Sequence, residues 1–171
     1  MNERCLNKFY IVTLLAVTMS SCVPHNNLAE KKEWIDPKSS ICQANGGKMI
    51  DGSCHASWQR AHKICQASNA RLPSLDEMRE LIYECGGIVA DYNFFSHGGE
   101  AELAKREAQN RGNTSYQKCY KAKGFLPRSG YWSSKERFPQ SQGAWYVRFE
   151  EGSTGISQKA AEYSVRCKRK I

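Results

Sequence analysis

The apolar positions of this chain form an opening run, then two helical stripes, then a closing series of alternations. Phe9 to Val17 is a mainly apolar run, with Arg4 and Lys8 before it and Met19-Ser20-Ser21 after it, ahead of Cys22. That is the order of a secretory signal peptide, and the run is far shorter than the roughly 20 residues of a spanning helix. Between Ser57 and Ala67 the apolar residues Trp58, Ala61, Ile64 and Cys65 recur at helical spacing and define one buried face. Arg71-Leu72-Pro73 is predicted extended, because the residue before a proline avoids helical backbone. Ser74 and Glu77 then make a capping-box pattern, and Met78, Leu81, Ile82 and Cys85 give the inner face of a second helix that stops at Gly86-Gly87. From Gly130 the period changes to two. Tyr131 to Ser134 reads as a strand, and Trp145, Val147 and Phe149 alternate with Tyr146 and Arg148 as in an antiparallel strand with one buried face. Gly155-Ile156-Ser157 and Tyr163 to Cys167 read as further strands, and two helices followed by short strands is an α+β pattern.

The remaining segments are less periodic. Residues 22–40 read as a polar tether, with Pro37-Lys38-Ser39-Ser40 as a break before the domain and Trp34-Ile35 as an apolar pair able to dock on its surface. One domain is then expected over residues 41–171, a normal size for a single core. It opens on a hairpin of Ile41-Cys42 and Gly52-Ser53-Cys54, with Asn45-Gly46-Gly47 between them and a Cys42–Cys54 bridge closing it. Residues 88–128 read as an insertion, with a short exposed helix over Glu100 to Asn110 and a loop over Arg111 to Ser115. So long a stretch between core elements is either functional or tied down.

Charge singles out that insertion. The chain carries 25 Lys and Arg against 17 Asp and Glu; removing residues 1–21 takes away Arg4, Lys8 and Glu3, so the net charge falls from +8 to +7. Lys105, Arg106, Arg111, Lys118, Lys121, Lys123 and Arg128 lie between residues 105 and 128 against one acid, Glu107. Tyr92, Phe94, Phe95, Tyr116, Tyr120 and Phe125 interleave with them as candidate exposed aromatics. Such a surface could meet lipid headgroups, anionic cell-wall polymers or an acidic protein. Nucleic acid is not an expected partner of an exported chain.

Cys5 leaves with the leader, and six cysteines follow Cys22: Cys42, Cys54, Cys65, Cys85, Cys119 and Cys167. In an oxidising compartment an even count argues for three disulfides, and the sequence itself allows 15 pairings. A zinc set of Cys54, His55, His62 and Cys65 is the competing reading, but its spacing matches no standard paired-ligand pattern. His55 and His62 with Ser57 or Asp76 can be imagined as a hydrolase set, which only geometry could establish.

Two resemblances sharpen the picture. Small residues before Cys22 resemble the lipobox of bacterial lipoproteins, whose cysteine is acylated and becomes the mature N-terminus; the alternative is an ordinary signal peptide. Val23 in the following position points to the outer membrane of a Gram-negative host. Secondly, Trp58, Ala61 and Cys65, then Arg71-Leu72-Pro73-Ser74 with Glu77 and Leu81, Tyr131 to Ser134, Trp145 to Phe149 with Gly152, and Val165-Arg166-Cys167 occur in one order. Over roughly residues 56–168 this resembles the bacterial DUF1566 domain, the Lcl C-terminal domain, which is similar to the C-type-lectin-like fold of formylglycine-generating enzymes.

The resemblance implies a disulfide-stapled C-type-lectin-like domain, two helices packed on short antiparallel strands. It implies a Cys65–Cys167 bridge, worth about 4 to 5 kcal/mol for a loop of roughly 100 residues. It agrees with Cys42–Cys54 and so leaves Cys85–Cys119 to fasten the insertion. Trp58, Trp132 and Trp145 become core. The Glu-Pro-Asn and Trp-Asn-Asp motifs of calcium-dependent lectins do not occur in this sequence, and the enzymes of this fold need free cysteines. The expectation is therefore a non-enzymatic envelope lipoprotein without metal or cofactor, recognising a glycan or a protein through its insertion. A structural subunit of a pilus, secretion or conjugation machine is the alternative.

Overall fold

The computed structural model describes residues 33–91 and 99–170. The leader, Cys22, most of the tether and the aromatics Tyr92, Phe94 and Phe95 lie outside the described residues.

The fold is α+β, and it begins before Ile41. Strand β1, Trp34–Ile35, is an edge strand rather than a surface contact. The expected tether boundary is therefore too late in the chain. Trp34 is buried and meets Phe125 edge-on, with ring centroids 5.1 Å apart. Helix α1, Ser39–Ala44, follows at once and contains Ile41 and Cys42, which the sequence pattern placed in a hairpin strand. Asn45-Gly46-Gly47 is the stop of that helix, with Gly46 in the left-handed region at φ 78°.

The hairpin itself is β2, Lys48–Ile50, and β3, Ser53–Ala56. Asp51 and Gly52 turn it with φ of 48° and 78°, the two positive values that favour Asp-Gly in a two-residue hairpin loop.

Helix α2, Trp58–Ala67, and helix α3, Leu75–Glu84, follow the two apolar stripes, separated by β4, Ala70–Arg71. Ser74 caps α3, its side chain accepting from Glu77 N while Glu77 accepts from Ser74 N. Beyond β5, Ala90–Asp91, the insertion is two helices, α4 over Gly99–Gly112 and α5 over Thr114–Ala122. Among the described residues five helices thus stand where two core helices and a short exposed one over Glu100 to Asn110 are expected; α1 and α5 are the additions. The chain closes with β6, Gly130–Glu136, β7, Gly143–Arg148, β8, Ser153–Gln158, β9, Tyr163–Ser164, and β10, Cys167–Arg169.

Seven strands form a mixed sheet in the order β2-β3-β9-β6-β7-β8-β5, with β5 parallel to β8 and β6 parallel to β9. A second, antiparallel sheet has the order β1-β10-β4. Neighbouring side chains on a strand point to opposite faces. Tyr131 accordingly enters one core with α3 and α5, while Trp132 enters another with α2. The same holds along β7: Val147, and Trp145 partly, face the first core, while Ala144 and Tyr146 face the second. The alternation on β7 therefore separates two packed faces rather than one buried face from solvent. Trp132 is fully buried and its Nε1 donates to Ala56 O at 2.9 Å, whereas Trp58 and Trp145 are only half-buried.

Three disulfides join the elements. Cys42–Cys54 ties α1 to β3, Cys65–Cys167 ties α2 to β10, and Cys85–Cys119 ties the end of α3 to α5. These are the pairs that the resemblance implies. Among the described residues no helix is long and apolar enough to cross a membrane.

Candidate functional site

Helix α5 is short, and neighbouring elements hold it on three sides. Asn113 caps its start, accepting from Tyr116 N at 3.0 Å and donating to Gly86 O at 3.0 Å. Tyr116 and Tyr120, one helical turn apart, point inward and are fully buried. The Tyr116 hydroxyl donates to Phe149 O, and burial raises its pKa, so the phenol remains a donor. Tyr120 donates to Gln117 Oε1 at 2.8 Å, and burial pushes its pKa up to about 12. Gln117 Nε2 in turn reaches Glu150 O at 2.9 Å and Asn110 O at 3.0 Å.

Asn110, at the end of α4, is buried and uses its whole amide. It accepts from Ile88 N at 2.9 Å and donates to Ile88 O at 2.6 Å and Glu151 O at 2.7 Å. Gly152 lies against it at φ 67°, and a Cβ there would come within 2.3 Å of Asn110 Nδ2. At the far end of α5, Arg166 donates to Lys123 O at 2.7 Å and Gly124 O at 3.1 Å, sits over Phe125 and pairs with Asp36. Burial lowers the Arg166 pKa to about 10, which leaves the guanidinium charged at neutral pH.

Three of the aromatics expected at the surface are thus core. Tyr116, Tyr120 and Phe125 are at most 1% exposed, because the inner face of α5 with its two tyrosines, and Phe125 just after the helix, pack on Phe149 and Tyr131. The cations divide as well. Arg106 is half-buried and pairs with Glu102 at 3.0 Å; Arg111 pairs with Glu151 at 3.2 Å and Glu107 at 3.8 Å. Arg128 is exposed, and its backbone N–H donates to Glu150. Lys105, Lys118, Lys121 and Lys123 are exposed and make no ion pair among the described residues, and Lys121 Nζ lies 5.7 Å from the centre of the Tyr120 ring. Lys118 and Lys121 share the outward side of α5, and Lys123 follows at its C-terminal end, where the helix dipole favours positive charge.

His55 Nε2 lies 3.0 Å from Ser164 Oγ rather than near Ser57, and Ser164 is fully buried. His62 packs edge-on against Trp58 at 4.3 Å, and burial lowers the pKa of both imidazoles. Cys54 and Cys65 belong to two different disulfides, which removes both sulfurs from the imagined zinc set.

A comparison with protein families matches the Lcl C-terminal domain over residues 27–169. The chain belongs to the Lcl C-terminal domain family. The match takes in β1 and the α4–α5 insertion as well as the two-helix and strand core. A comparison with curated proteins gives no match.

Proposed function

We propose that this Lcl C-terminal domain is a C-type-lectin-like, non-enzymatic recognition module of the cell envelope, anchored by acylation of Cys22 to the outer membrane. The order of α2 and α3 before the antiparallel strands β6, β7 and β8, with Cys65–Cys167 between the first of those helices and the last strand, supports the fold assignment. The observation that carries the function is α5. A nine-residue helix is disulfide-bonded, capped and hydrogen-bonded to the turn after β7, yet its outward side exposes Lys118 and Lys121, which make no ion pair among the described residues. Rigid display of like charge suits an acidic partner, because binding then orders few side chains anew. Either an acidic protein surface or an anionic glycan meets that requirement. The anchor would hold the module at the membrane, where a modest affinity suffices once both partners are confined.

Chemical crosslinking in cells, followed by purification of the tagged protein, tests the reading. Recovery of an envelope component that is lost in Lys118→Glu/Lys121→Glu/Lys123→Glu is the expected outcome. Stoichiometric subunits of a pilus, secretion or conjugation apparatus, retained in that variant, would instead make the chain a structural component. Metabolic labelling with a fatty acid tests the anchor: Cys22→Ala should carry no lipid, and a labelled variant would refute acylation at this position.

A further inference from the structure

The loop between β6 and β7 is anchored from beneath. Glu136 turns inward to Lys159, whose Nζ lies 2.9 Å away and sits 4.5 Å from the centre of the Trp58 ring, while only 7% of Lys159 is exposed. Lys159 N donates to Gln142 O at 2.7 Å, and Arg137 N donates to Gly143 O at 2.9 Å. Ser141 Oγ bridges the turn, accepting from Phe138 N at 3.2 Å and donating to Gly143 O at 2.9 Å. The ion pair of a buried lysine with the half-buried Glu136, and these hydrogen bonds, fix the loop before any ligand arrives.

Beside this loop lies an open groove of about 380 Å³, walled by Arg137 and Phe138 on one side and by Ile156 to Gln158 of β8 on the other. That volume falls within the roughly 300–1,000 Å³ of small-molecule sites. Phe138 is 61% exposed, an uncommon placement for a phenyl ring held on a fixed turn, and the Arg137 guanidinium lies 5.1 Å from its centre. The amides of Gln142 and Gln158 are exposed and make no side-chain hydrogen bond among the described residues.

We propose that this groove is a saccharide site for an uncharged pyranose. The C–H face of a sugar ring is apolar and fits an exposed aromatic ring, while its hydroxyls each donate and accept. An amide offers both functions in one plane, so Gln142 and Gln158 can each serve a pair of neighbouring hydroxyls. Among the described residues that line the groove Arg137 is the sole ionised side chain, and it is already placed over the Phe138 ring, which favours a neutral ligand over a polyanion. The site shares no residue with the lysine face of α5. It rests on the recognition-module reading, but its own success or failure is read at different side chains.

The test is a titration of the purified protein with cellotetraose, followed by NMR at the side-chain amides. Saturable shifts at Gln142 and Gln158 are expected, with Phe138→Ala weakening the affinity by about tenfold or more and Phe138→Tyr retaining it. An unchanged melting temperature of Phe138→Ala would show that the loss is not unfolding. Absence of saturable shifts, affinity unaffected by Phe138→Ala, or binding of galacturonate oligomers in place of cellotetraose would each overturn the proposal. Failure of cellotetraose binding while Lys118→Glu/Lys121→Glu/Lys123→Glu still abolishes partner capture would remove the groove and leave the module.

Discussion

Glu77 shows how much one side chain can carry. It closes the capping box on α3, forms a two-point pair with Arg71 and lies 4.0 Å from Lys168. The hydrogen bonds from Arg71, chiefly, hold its carboxyl at a pKa of about 2, below the ordinary 4.5. A depressed carboxylate pKa stabilises the fold in full above the unfolded value, and the contribution fades as pH falls through the folded one. Stability should therefore decline between about pH 4.5 and 2, and Glu77→Gln should flatten that acid limb in denaturant titrations while costing on the order of 1 to 2 kcal/mol at pH 7. The capping pattern was legible in the sequence, since Ser74 and Glu77 are three apart. Arg166 was not, because its partners Asp36, Lys123 and Gly124 are distant in the chain. Arg166→Ala should cost about 3 kcal/mol or more by stripping a buried charge from the carbonyls it satisfies, as read by thermal unfolding.

Among the elements, the sequence pattern was clearest where one face alone decides. The stripes of α2 and α3 and the strands from β6 to β8 fall close to where their periodicity put them. Helix α5 was hidden because Gly112-Asn113-Thr114-Ser115 has the composition of a loop; Asn113 is in fact an N-cap, and Tyr116 and Tyr120 one turn apart are its inner face. The Asp51-Gly52 pair likewise marks the hairpin, between Lys48–Ile50 and Ser53–Ala56 rather than from Ile41-Cys42. Position and rigidity of α5 depend on Cys85–Cys119, which closes a loop of 34 residues. The double variant Cys85→Ser/Cys119→Ser should lose up to about 4 kcal/mol in the chain-entropy model. Its amide hydrogen exchange should rise first in α5, while β6 and β7 remain protected. Uniform loss of protection across the sheet would mean that the bridge supports the whole core.

For the molecule as a whole, two cores on opposite sides of β6 and β7 account for a domain that buries two of its tryptophans, Trp34 and Trp132, and spans all three disulfides. Cys65–Cys167 reaches across 102 residues and joins the second core to the closing strand. Non-reduced protein should resist alkylation at all six of these cysteines, and modification of any of them by iodoacetamide would contradict the bridges. The net positive charge was visible in the sequence, but a count along the chain could not show which cations already have partners. Glu102, Glu107 and Glu151 claim two arginines of the insertion, and the lysines of α5 are left.

That residue of charge is the centre of the functional account, and site-specific photocrosslinking in living cells tests it most directly. A photoreactive residue in place of Lys118 should give a discrete adduct, and Lys121→Glu/Lys123→Glu in the same chain should abolish it. The same residue in place of Lys63, exposed on α2, should give none. Equal adducts from both positions, or none from position 118, would contradict recognition through α5.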